Sequence, residues 1–304
     1  MSSSSPFHVL SAFPPTPADA NGRVDTEALC RLLEPLCDAG VASIGLLGST
    51  GIYAYLTREE RLRAIEAAVE CVKGRVPIVV GVGALRTDSA CDLARDAETA
   101  GADALLLAPV SYTPLTQEEV YQHFLAVTKA AALPLCIYNN PGTTHFTFSR
   151  ELLRRLSDIE TIKAVKMPLP ADGDVRGELA ALREKTDLAI GYSGDWGAAE
   201  ALLSGADAWY SVVGGLLPRT ALALTKAAIT VDSNETRRLD GLLEPLWRMF
   251  KELGSIRVVY MLVEYLLLTR AELPRPLMPL GAADRQRVLQ VAEPLIALER
   301  QSLL

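Results

Sequence analysis

Ala100-Gly-Ala-Asp-Ala-Leu-Leu-Leu-Ala108 carries the signal that decides the fold. A glycine stands between the end of a helical pattern and a short apolar run, where it can take the left-handed conformation that ends a helix. The same device recurs at Ala39-Gly-Val41, ahead of residues 43–47, and at Ser204-Gly-Ala-Asp207, ahead of residues 208–212. Strand-like runs of this kind stand at 7–13, 43–47, 77–81, 104–108, 135–138, 162–166, 189–193 and 208–212. Helical spacing separates them at 57–73, 89–100, 117–132 and 196–204, with acids early in several segments. Alternating runs of this sort make strand-helix units around a parallel sheet, and eight of them favour a closed barrel over an open doubly wound sheet. The strand signals stop after residue 230. Helices are expected at 233–253, 256–269 and 282–303, the last two separated by Pro274-Arg-Pro276 and Pro279. The expectation is an α/β chain: a (β/α)8 TIM barrel over residues 1–230 and a C-terminal helical bundle over 231–304.

The chain has 304 residues, of which 49% are hydrophobic and 22% charged, the balance of a globular enzyme with a large core. A net charge of −7 argues against general nucleic-acid binding, which needs a basic surface. The five cysteines (Cys30, Cys37, Cys71, Cys91, Cys136) are odd in number and lack any CxxC pair, so cytosolic thiols are expected rather than a disulfide framework or a zinc knuckle. The start of the chain has no basic region followed by an apolar core, and no signal peptide is read there. The apolar stretch 258–268 is too short to span a membrane and contains Glu264, so it reads as a buried helix in a cytoplasmic protein. His8, His123 and His145 have no metal-ligand spacing, and no metal site is expected.

In a parallel barrel the active site gathers where the strands end at their carboxyl side. Lys166 closes the run Ile162-Lys-Ala-Val-Lys166. A lysine amine attacks a keto group only when neutral, and an apolar pocket disfavours its ammonium form. Strict alternation places Ile162, Ala164 and Lys166 on one face, with Lys163 and Val165 on the other. Gly48-Ser-Thr-Gly51 follows the second run, and its backbone N–H groups and two hydroxyls suit a carboxylate. Tyr138, at the start of Tyr138-Asn-Asn-Pro-Gly142, and Tyr112, in Pro109-Val-Ser-Tyr112, offer phenols that can pass protons. Ser193-Gly-Asp-Trp196 and Tyr210-Ser-Val-Val-Gly-Gly215 follow the seventh and eighth runs. The charged run Arg58-Glu-Glu-Arg61 reads as the solvated first turn of a helix.

Taken in order, Ala12-Phe-Pro-Pro-Thr-Pro17, Gly22-Arg-Val-Asp25, Gly48-Ser-Thr-Gly51, Tyr112, Tyr138-Asn-Asn-Pro-Gly142, Val165-Lys166, Gly191-Tyr-Ser-Gly-Asp195, Ser211 and Pro274-Arg-Pro-Leu277 carry a family likeness. The chain resembles the dihydrodipicolinate synthase/N-acetylneuraminate lyase family of pyruvate-handling class I aldolases. The resemblance implies a barrel with a helical extension, assembly as a homotetramer or homodimer, and no metal or organic cofactor. It implies that Lys166 is the Schiff-base lysine, that Tyr138 moves protons, and that Ser49 and Tyr112 form a hydroxyl relay, Tyr112 being lent by a neighbouring subunit. It puts Thr50 and Tyr210 at positions that hold the pyruvate carboxylate, beside Gly48.

Departures from the family pattern bear on the second substrate. Thr143 stands where the lysine-pathway synthase has an arginine that grips the second carboxylate. Ile52 replaces a frequent glutamate, Trp196 a common acid, and Gly215 a frequent asparagine. The expected activity is therefore a Schiff-base carbon–carbon lyase or synthase acting on pyruvate or a longer 2-oxo acid with an aldehyde partner. The alternatives are the lysine-pathway synthase itself, a non-catalytic 2-oxo acid binding protein and a metal-dependent aldolase.

Overall fold

The computed structural model describes residues 5–267 and 271–300. Each of the eight apolar runs becomes one strand: β1 Val9–Ala12, β2 Ser43–Leu46, β3 Ile78–Gly81, β4 Ala104–Leu107, β5 Leu135–Tyr138, β6 Ile162–Met167, β7 Ala189–Tyr192 and β8 Ala208–Ser211. They pair in chain order, all parallel, and β8 returns to β1 to close the barrel. Helices α1 Thr26–Ala39, α2 Arg58–Val72, α3 Thr87–Ala100 and α4 Gln117–Ala130 follow the first four strands. A single turn, α5 Pro141–Thr144, and α6 Arg150–Ser157 follow β5; α7 Val175–Arg183, α8 Ala198–Leu203 and α9 Pro218–Ile229 complete the ring.

Local chemistry explains these boundaries. Gly40, Gly101 and Gly205 adopt φ of 74°, 93° and 95°, the left-handed exits expected from the repeated glycine. Thr116 and Glu119 form a reciprocal capping box at the start of α4, and Thr57 accepts from the Glu60 N–H to start α2, each cap contributing about 1 kcal/mol. α6, α7 and α9 were not anticipated. The first two are only eight and nine residues long and rich in charge, too short for helical periodicity to emerge.

Two apolar layers result. Leu10, Ile44, Val80, Leu105, Ile137, Val165, Ile190 and Trp209 face outward against the helices, while Phe7, Phe13, Val79, Leu106, Cys136, Ala164 and Tyr210 fill the barrel interior. The expected alternation in β6 needs one correction. Leu135 pairs with Ile162 but Cys136 pairs with Ala164, so Lys163 is an extra residue, a bulge. The bulge turns Ile162 to the outer layer with Val165 and leaves Ala164 and Lys166 facing the interior.

The C-terminal helices are α10 Ser233–Leu253, α11 Ser255–Leu267 and α12 Ala282–Arg300. The expected ends at Thr269 and Leu303 lie outside the described residues. Polar contacts from Tyr260 and Glu299 join these helices to the barrel. The Tyr260 hydroxyl on α11 donates to the Thr16 carbonyl at 3.0 Å, beyond β1. Glu299 on α12, 8% exposed, accepts from the Arg219 and Thr220 N–H groups at 2.8 and 2.9 Å and so caps the start of α9.

Candidate active site

Lys166 lies near the carboxyl end of β6, with Tyr138 of β5 directly beside it in register and Gly191 of β7 on its other side. The lysine is 4% exposed. Its Nζ sits 3.8 Å from the ring centre of Phe13, 4.2 Å from that of Tyr138 and 5.7 Å from that of Tyr210. Among the described residues no carboxylate stands within ion-pair distance of this amine. A flexible, strongly hydrated side chain is thus held at the barrel mouth by packing.

Tyr138 is held from two directions. Its hydroxyl oxygen accepts from Asn140 Nδ2 at 2.9 Å and lies 3.2 Å from Ser49 Oγ. A phenol anchored by one donor and joined to a second hydroxyl can take up and return a proton without moving its ring. Ser49 reaches it because β2 ends early. Leu47 adopts φ 55° and Ile52 φ 51°, so Gly48-Ser-Thr-Gly51 is lifted as a compact loop over the strand end. The N–H groups of Ser49, Thr50 and Gly51 donate to no acceptor among the described residues, and the Thr50 side chain is buried. Converging N–H groups beside a buried hydroxyl suit a carboxylate.

The other expected residues are placed less uniformly. Tyr112 is 97% exposed, so within one chain it does not join Ser49 and Tyr138. Thr143 is exposed and its Oγ1 donates to the Asn140 carbonyl at 3.3 Å. Trp196 is 42% exposed, in a 3-10 turn spanning Asp195–Gly197 rather than at the start of a helix. Tyr210 lies inside the barrel. Its ring lies against Gly191, its hydroxyl is 3.4 Å from Cys136 Sγ, and it is fully enclosed. Burial pushes both the Tyr210 phenol and the Cys136 thiol up, the thiol to about 12.

Four further residues shape the site. Phe13 covers the amine, and Asn140 positions the phenol. Asp195, 2% exposed, accepts from Trp209 Nε1 at 3.0 Å and from the Val212 and Val213 N–H groups at 3.2 and 2.7 Å, tying the ends of β7 and β8. Burial pushes its carboxyl up to about 6 against the pull of these donors. Arg61 corrects the solvated reading of its run. It is 7% exposed, lies 5.2 Å over the Tyr53 ring and donates to the Gly83 carbonyl at 3.0 Å, while Arg58 stays outside with Asp92 and Asp96. Asn140 and Asp195 stood within motifs already marked at strand ends; Phe13 and Arg61 carried no sign of their role.

Comparison with known proteins places these features. The sequence model of the dihydrodipicolinate synthetase family matches residues 6–295. The 4-hydroxy-tetrahydrodipicolinate synthase of Alcanivorax borkumensis is 36% identical over 275 residues, covering 90% of this chain and 92% of that protein. A crystal structure of dihydrodipicolinate synthase from Agrobacterium tumefaciens superposes with a TM-score of 0.94 at 62% identity, covering 95% of this chain and 98% of that one. The chloride-inhibited dihydrodipicolinate synthase of Acinetobacter baumannii, complexed with pyruvate, superposes with a TM-score of 0.86 at 30% identity, covering 95% and 99%.

Proposed function

The chain belongs to the dihydrodipicolinate synthetase family of Schiff-base carbon–carbon lyases and synthases, and from that premise we propose that Lys166 forms an imine with pyruvate or a longer 2-oxo acid. The observation that carries this reading is the enclosed Lys166 amine beside an anchored Tyr138 phenol, itself joined to Ser49.

The neutral amine adds to C2 of the 2-oxo acid, the carbonyl oxygen takes up a proton and the nitrogen releases one. The resulting hydroxyl leaves as water with one further proton, and a protonated imine remains. Tyr138 passes these protons, with Ser49 as the next hydroxyl. The N–H groups of Ser49 and Thr50, with the Thr50 hydroxyl and the Gly48 turn, hold the carboxylate and set C2 before the nitrogen. The protonated imine then accepts the electron pair of the C3–C4 bond in cleavage, or yields a C3 nucleophile that adds to an aldehyde in synthesis.

The partner aldehyde is proposed from Thr143 and Trp196. A neutral hydroxyl at 143 cannot make the bidentate, charge-assisted contact that an arginine makes to a carboxylate, so a semialdehyde acid is held weakly. This disfavours the lysine-pathway synthase. We also propose that the barrel, residues 1–230, carries the chemistry while residues 231–304 brace it, and that the protein works in the cytoplasm as a homotetramer or homodimer without a cofactor. Among the described residues no helix is long and apolar enough to cross a membrane, and no group of three acid, histidine or cysteine side chains is placed to hold a metal.

The test is a panel of 2-oxo-3-deoxy sugar acids and aryl-substituted 2-oxo acids, scored by pyruvate release, beside condensation with aspartate semialdehyde. Turnover on the panel exceeding condensation is expected. Efficient condensation with aspartate semialdehyde and no cleavage of any panel member would overturn the substrate assignment.

A further inference from the structure

Three aromatic rings enclose the Lys166 nitrogen, and the backbone is shaped to admit two of them. Phe13, 2% exposed, lies in a slot that only glycine leaves open: a Cβ at Gly45 would stand 2.3 Å from the ring, and one at Gly48 would stand 2.6 Å from it. Tyr210 enters in the same way, since a Cβ at Gly191 would stand 2.5 Å from its ring. The two rings meet edge to face, 6.0 Å apart at 79°, which sets their orientation. The Tyr138 ring forms the third wall. Among the described residues Lys166 Nζ has neither a carboxylate nor a hydrogen-bond acceptor, so the ring faces are what surround it.

We infer that Phe13, Tyr138 and Tyr210 form an aromatic cage that stabilises the protonated imine on Lys166, with Phe13 as the wall that decides its strength. The inference rests on the Schiff-base reading and deepens it. A cation enclosed by ring faces and screened from water is held by the negative faces of the π systems. The imine nitrogen carries a positive charge that the carbinolamine before it lacks, so the cage acts on the step that expels water. The cage also restricts the substrate. Phe13 and Tyr210 fill the inner side, so the 2-oxo acid must enter from the Ser49 and Thr50 side with its carbon chain turned toward the mouth.

The experiment replaces Phe13 with mono-, di- and trifluorinated phenylalanine, and separately makes Phe13→Leu and Phe13→Tyr. The imine population at a set pyruvate concentration is read by borohydride trapping and intact mass, with thermal unfolding measured alongside. Fluorination drains the ring face and changes its size little, so it separates electrostatics from packing. A stepwise fall in the imine equilibrium constant with fluorine number is expected, together with a roughly tenfold to thirtyfold loss in Phe13→Leu and retention in Phe13→Tyr. An imine constant independent of fluorination, in variants that still fold, would overturn the cage. Absence of any trapped adduct in the wild-type protein would instead overturn the Schiff-base reading.

Discussion

At Lys166 and its neighbours the chemistry is set by what each side chain touches. Tyr138 is placed by Asn140 and joined to Ser49, so Tyr138→Phe keeps the ring wall and removes only the proton carrier. Its kcat for pyruvate release is expected to fall by about 10² to 10⁴ with little change in melting temperature, as steady-state kinetics and calorimetry would read. Asp195 gives a pH signature. Burial raises its folded value from 3.8 to about 6, so the folded state binds the proton more tightly than the unfolded chain in that interval. Its contribution to stability is therefore full below about pH 4 and declines as pH rises through about 6. Relative to Asp195→Asn, which cannot ionise, the wild type should lose on the order of 3 kcal/mol across that window in denaturant titrations. A difference that does not vary with pH would reject this assignment. Lys166, Tyr138 and Ser49 were legible because a strand end announces itself in sequence. Tyr210 was marked at a strand end as well, but the depth of its ring, like that of Phe13, was not legible, because it depends on glycines contributed by other strands.

Elements were legible to different degrees for physical reasons. Short strands that are mostly buried, four residues long except for β6, are largely apolar runs, and all eight stood out, as did the glycine exits before β2, β4 and β8. The bulge at Lys163 was not visible, since an extra residue is defined only by the partner strand, here Leu135 and Cys136 of β5. Arg61 misled for a related reason: its polar run is the first turn of α2, yet Tyr53 and Gly83 from two other loops close over it. The packing of β1 against β2 yields a further test. Gly45→Ala pushes a methyl into the Phe13 ring and should cost about 1 to 3 kcal/mol in denaturant unfolding. With Phe13→Leu in the background, much of that cost should vanish, a coupling that a double-mutant cycle reads directly. Additive costs would show that the slot does not constrain the ring.

For the whole molecule, one chain brings Lys166, Tyr138 and Ser49 together at the strand ends, while Tyr112 is 97% exposed. If a second copy lends this phenol, the active species is an oligomer. Sedimentation at micromolar concentration should give a homotetramer or homodimer, activity per chain should fall on dilution, and Tyr112→Phe should lower kcat without changing assembly. A fully active monomer would assign Tyr112 no part in the reaction. The closed barrel supplies what the chemistry requires, a filled interior beneath and an open rim of strand ends above. The most direct measurement is incubation with pyruvate and borohydride followed by peptide mass mapping. A single reduced pyruvyl adduct on the peptide containing Lys166, absent from Lys166→Ala, is expected; an unmodified Lys166, or an adduct on another lysine, would contradict the assignment.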